Sequence, residues 1–105
     1  DPVLVTSWVT EVEVRRTLAR SFSGRELTAF RSRALADLDE FAMVACDEAV
    51  AHAAAEIGET LGVRSLDAIH LASAQRLRID DLVFLTFDLR QGQAARSMGF
   101  TVRGC

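Results

Sequence analysis

No lysine occurs anywhere in this chain; all 12 basic residues are arginine. The phosphate-binding loop GxxxxGK[ST] is therefore impossible, and so is any mechanism that needs a catalytic lysine, the receiver domains of two-component systems included. The six glycines never form GxG, so the dinucleotide-binding fingerprint is missing as well. The two cysteines, Cys46 and Cys105, are far apart and imply neither a disulfide framework nor a zinc knuckle. Pro2 is the only proline. No low-complexity segment, internal repeat or linker interrupts the chain, which reads as a single domain over residues 1–105. No apolar run approaches the roughly 20 residues that cross a bilayer. No signal peptide is read either, so a reducing cytoplasm is the expected location.

What the chain does have is apolar content. Half of its 105 residues are hydrophobic and 26% are charged, which excludes intrinsic disorder for the chain as a whole. The formal net charge is −3, unlike that of a general nucleic-acid coat protein. A nuclease remains compatible with it, because an acidic metal site beside arginines binds phosphates while the total charge stays negative.

Local patterns divide the chain into nine elements. Residues 3–6 are a short β-prone run, after which Ser7 is a plausible cap for a helix to about residue 20. Residues 22–24 break that helix. A second follows over residues 25–38, where Leu27, Phe30, Ala34 and Leu38 make a seam on one face. This seam is expected either to pack on the first helix or to serve an interface. Residues 41–45 are a strand candidate. Asp47 then caps a helix over residues 48–61 with a buried stripe of Val50, Ala53, Ala54, Ile57 and Leu61, and Gly62 stops it. Ser65 is expected to cap the next helix, residues 66–77, which is apolar nearly all round. Residues 82–87 are apolar without alternation, the pattern of a strand covered on both faces. Asp88 starts a helix to Ser97, Gly99 closes it, and residues 100–102 form a last strand. The order β-αα-β-αα-β-α-β implies an α/β fold with a mostly parallel central sheet flanked by helices. In such sheets ligands bind outside the carboxyl ends of the strands.

Three acids stand out by position. Glu13 lies on the edge of an apolar stripe in the first helix; a surface carboxylate beside Arg16 is the plain alternative. Asp67 is in the first turn of the most apolar helix, where a favourable interaction with the helix N-terminus competes with a metal-binding role. Asp88 follows the strongest strand, and an ordinary N-cap is the alternative there. Carboxylates that converge repel one another unless a hard divalent cation joins them. Magnesium takes one or two carboxylates together with waters and phosphate oxygens. No Ser-His-Asp or Cys-His arrangement competes. His70, three residues after Asp67, is placed either to orient that acid or simply to fill a half-buried core position.

These residues also carry a resemblance. The segments are Val63-Arg64-Ser65-Leu66-Asp67-Ala68-Ile69-His70-Leu71-Ala72-Ser73-Ala74, Leu85-Thr86-Phe87-Asp88-Leu89-Arg90 and Ala94-Ala95-Arg96-Ser97-Met98-Gly99-Phe100. Upstream stand Leu4-Val5-Thr6-Ser7 and Glu13-Val14-Arg15-Arg16. In this order and over nearly the whole chain, they resemble PIN-domain ribonucleases of the VapC toxin type. The resemblance implies a PIN-like three-layer fold and a Mg2+- or Mn2+-dependent endoribonuclease. It makes Glu13, Asp67 and Asp88 the catalytic, metal-binding acids, with Thr86 a hydroxyl near the last of them. It also implies a cognate antitoxin that blocks the site, and a homodimer. One departure is marked: the family's first strand, with its own acidic residue, has no counterpart here. The chain is thus expected to be N-terminally truncated, with that strand supplied by a companion segment. A non-catalytic PIN-like interaction module is the second hypothesis, and a different small α/β hydrolase the third.

Overall fold

The computed structural model describes residues 3–105, and the chain divides into two compact units, Asp1–Ala45 and Cys46–Cys105. The expected element order is observed throughout: β1 (Val5–Ser7), α1 (Val9–Ser21), α2 (Gly24–Leu38), β2 (Ala42–Val44), α3 (Glu48–Leu61), α4 (Ser65–Leu77), β3 (Val83–Leu85), α5 (Leu89–Ser97) and β4 (Thr101–Arg103).

In the first unit β1 and β2 pair in parallel, with Val5 opposite Ala42 and Ser7 opposite Val44. The helical hairpin of α1 and α2 is the crossover that a parallel pair requires. Hydrogen bonds from Ala42 N to Leu4 O (2.9 Å) and from Trp8 N to Val44 O (3.1 Å) extend the ladder at both ends. Ser7 is buried, and its Oγ accepts from Val9 N at 3.2 Å, so it serves the first turn of α1 as expected although Trp8 occupies the cap position. Phe22, in extended conformation, ends α1 and packs its ring against Phe30, tilted at 48° with centroids 4.5 Å apart. The α2 seam is therefore partly used inside the hairpin: Leu38 is buried, Leu27 and Ala34 are half-buried, and Phe30 stays exposed.

In the second unit α3 and α4 pack against each other as an antiparallel pair. Asp47 caps α3 by accepting from Val50 N at 2.9 Å, and Gly62, with φ +69°, ends it in the left-handed region that a side chain disfavours. Val50, Ala54 and Ile57 of α3 meet Ala68, Leu71, Ala72 and Ser73 of α4 to make most of this core. Ser65 is not the cap of α4 but its first residue; Arg64, with no side-chain cap bond, precedes it. β3 and β4 pair in parallel, Phe84 opposite Val102, and the Phe84 and Phe100 rings stack at 5.8 Å. α5 covers this ribbon closely. A Cβ on Gly92 would lie 3.6 Å from Thr86 and Val102, an ordinary contact, and 2.5 Å from Sγ of the exposed Cys105, which would have to turn aside.

One expectation about the sheet is corrected. The unbroken apolar run around β3 predicts cover on both faces, but Val83, Leu85 and Phe87 are 50%, 67% and 82% exposed. β3 pairs with β4 alone and β1 with β2 alone among the described residues. The three exposed residues alternate and share one face of the strand, which is open, while Phe84 is half-buried and Thr86 buried on the other; an unbroken apolar run cannot reveal which face is covered.

Candidate active site

Two of the three acids meet in one place. Asp67 is the third residue of α4 and half-buried; Asp88 is the N-cap of α5 and exposed. Both line a cavity of about 390 Å³ in the second unit, together with Arg64 and Arg90. Two local rules bring them there. The α3–α4 turn at Gly62 delivers the N-terminus of α4, and the carboxyl end of β3 delivers the N-terminus of α5. The positive ends of two helices thus open onto the cavity, and acids at such positions are stabilised by the helix dipole.

Asp88 Oδ1 accepts from Gln91 N at 3.0 Å, the bond that an N-cap makes to the third helical residue. Thr86, buried to 7% exposure, accepts from Asp88 N at 3.1 Å and donates its hydroxyl proton to Gln91 Oε1 at 2.7 Å. Gln91 Nε2 in turn donates to Asp67 Oδ1 at 3.2 Å. A single glutamine therefore joins the turn that holds Asp88 to the carboxylate of Asp67. The hydroxyl expected near the last acid is present and bonded. His70 is half-buried one turn beyond Asp67 on α4. Glu13 is half-buried on α1, in the first unit.

Gln91 was not singled out in the sequence. Its spacing from Asp88, Asp-x-x-Gln, is the signature of a capping box, in which the residue serves only its own helix end. Nothing in that local pattern points to a partner 24 residues away.

Oxygen donors from two carboxylates, with room for water beside them, suit a hard cation such as Mg2+ or Mn2+. Among the described residues, no group of three or more His, Cys, Asp or Glu side chains is gathered around a common point. Two carboxylates, Asp67 and Asp88, line the cavity, and magnesium accepts a set of that size when phosphate oxygens and waters complete its shell.

Comparison with known proteins agrees with the architecture. The PIN domain family matches residues 1–97. The chain belongs to the PIN-domain family. Among curated proteins, this PIN domain is 37% identical over 98 residues to Ribonuclease VapC46 of Mycobacterium tuberculosis, covering 93% of the chain and 71% of that protein. It is 37% identical over 95 residues to Ribonuclease VapC47 of the same species, covering 90% and 66%. To Ribonuclease VapC35 it is 39% identical over 100 residues, covering 93% and 70%. The PIN domain described here thus spans between 66% and 71% of the length of these relatives. No solved structure matches it. No helix among the described residues is long and apolar enough to cross a membrane.

Proposed function

We propose that this PIN domain is a Mg2+- or Mn2+-dependent endoribonuclease of the VapC toxin type. One observation carries the proposal: Asp67 and Asp88 share a cavity with Arg64 and Arg90. Carboxylates that hold a cation and guanidinium groups that hold phosphate oxygens are the two requirements of phosphodiester cleavage, and here they are adjacent. The names of the relatives, all ribonucleases, support the same substrate.

In this reading Asp67 and Asp88 hold the cation, and Glu13 is the third acid, proposed from its place in the sequence. A bound divalent cation supplies positive charge to the phosphoryl group under attack. Arg64 and Arg90 bind the phosphates of the RNA chain and orient it. Thr86 keeps the Asp88 turn in shape, and His70 supports α4 beside Asp67. The proposal extends to assembly: a cognate antitoxin that covers the cavity, a homodimer, and a cytoplasmic setting. It also includes a companion segment, outside the described residues, that pairs with the open edge of β3. Among the described residues β3 pairs with β4 alone, and this free edge supports that last element, because native sheets rarely leave a strand edge unprotected.

The test is cleavage of single-stranded RNA in Mg2+ or Mn2+ by wild-type protein and by Asp67→Asn and Glu13→Gln. Asn keeps the size of Asp67 but removes the charge, so cleavage should fall to background while the melting temperature holds. Cleavage at the wild-type rate by Asp67→Asn would remove that residue from the site. A folded wild-type protein that binds RNA or a protein partner but never cleaves would favour the interaction module instead.

A further inference from the structure

Gln91 is the third residue of α5, and the capping-box rule gives its side chain one task, to reach back to the backbone N–H of the capping Asp88. It does not perform that task. The Asp88 N–H is taken by Thr86 Oγ1 at 3.1 Å, and the amide of Gln91 is turned away to Thr86 on one side and Asp67 on the other. The orientation of the amide follows from chemistry, because an ionised carboxylate only accepts and so must face the NH2 group. Three donors then point one way: Asp88 N–H to Thr86, the Thr86 hydroxyl to Gln91, and Gln91 Nε2–H to Asp67. Hydrogen bonds aligned head to tail polarise one another, and buried Thr86 and half-buried Gln91 keep this chain out of bulk water.

We infer that Gln91 is a positioning residue: through the Thr86–Gln91 relay it ties the Asp67 carboxylate to the Asp88 turn and sets its orientation for a divalent cation. The inference rests on the proposed reading of Asp67 and Asp88 as the metal-holding acids. A hydrogen bond to one oxygen restricts the rotation of a carboxylate about its flexible bond. Gln91 holds Oδ1 of Asp67 from the same backbone turn whose cap is the other acid. One residue thus bonds both acids, its backbone N–H on Asp88 and its side chain on Asp67. Gln91→Leu keeps comparable volume and the backbone bond to Asp88 but removes the tie to Asp67 and strands the Thr86 hydroxyl.

Calorimetric titration of the purified protein with Mn2+ alone, without RNA, tests this, with melting temperatures read in parallel. Gln91→Leu should weaken Mn2+ binding by about 10-fold or more, the usual effect of losing a group that orients a metal ligand. Thr86→Ser, which keeps the hydroxyl, should keep wild-type affinity, and Thr86→Val should lose affinity in the same direction as Gln91→Leu. A merely structural glutamine would lower the melting temperature and leave Mn2+ affinity unchanged. Wild-type Mn2+ affinity in a folded Gln91→Leu, with affinity lost in Asp67→Asn, overturns the inference and leaves the reading of the acids standing. Wild-type affinity in Asp67→Asn, or no Mn2+ binding by the wild-type protein, overturns both. Should Gln91→Leu not fold, equal Mn2+ affinity in Thr86→Val and Thr86→Ser overturns the relay.

Discussion

Asp47 and Asp88 make the same hydrogen bond at the start of α3 and α5, each accepting from the backbone N–H three residues on. Only Asp88 faces the cavity with Asp67, Arg64 and Arg90. The cap and the carboxylate charge are therefore separable at these two positions. Asp47→Ala should cost about 1 kcal/mol of stability, the typical value of an N-cap, and leave RNA cleavage per folded molecule unchanged. Asp88→Asn should do the reverse, because Asn caps as well as Asp but carries no charge for a cation. Chemical denaturation and a cleavage assay on the same two proteins measure both effects. Cleavage surviving in Asp88→Asn would reduce that residue to the cap it also is.

At the scale of elements, α4 carries the load of the second unit and one acid of the site. Its Leu71 is fully buried, and Val50 of α3, with which it shares the α3–α4 core, is 1% exposed. Leu71→Ala should destabilise the protein by about 2–5 kcal/mol, the range for a buried leucine truncated to alanine, seen as a lower midpoint of urea unfolding. Cleavage by the remaining folded fraction should persist, since Asp67 sits a full turn away. The burial of α4 is readable in the sequence because the helix is apolar nearly all round, and helix ends are readable because caps are local: Asp47, Gly62 and Asp88 all end or start helices where their residue types dictate. The ends of strands were less readable. The first strand begins two residues later than its apolar run, and the last is shifted to Thr101–Arg103, because pairing with a partner far along the chain decides which residues join a ladder. The same distinction applies at the site. Asp67 and Asp88 stand out by position and Thr86 through the family resemblance, whereas Gln91 carries a local signature that hides a distant partner. Glu13 stands out by the same positional argument as the other acids, and its helix belongs to the first unit.

For the molecule as a whole, charge poses the sharpest question. Fifteen acids against 12 arginines give −3, and a uniformly negative surface repels a polyanion. The proposed RNA binding then requires a local exception, and the exposed Arg64 and Arg90, which line the cavity, are the residues proposed to provide it. Electrostatic binding of this kind has a quantitative signature. Each phosphate neutralised on a single strand releases counterions, so two arginines predict a slope of about −1.4 in log Kobs against log salt concentration. Replacing either Arg64 or Arg90 by Ala should make that slope shallower by about 0.7. Replacing both should remove most of the salt dependence, while Arg76→Ala, whose partner is Asp47 at 3.8 Å, should leave it as in the wild type. Fluorescence anisotropy of a labelled single-stranded RNA, titrated without divalent cation so that cleavage does not intervene, reads these slopes directly. An unchanged slope in the double variant would move the phosphate contacts elsewhere on the protein, and the cavity would keep its acids but lose its claim to orient the RNA.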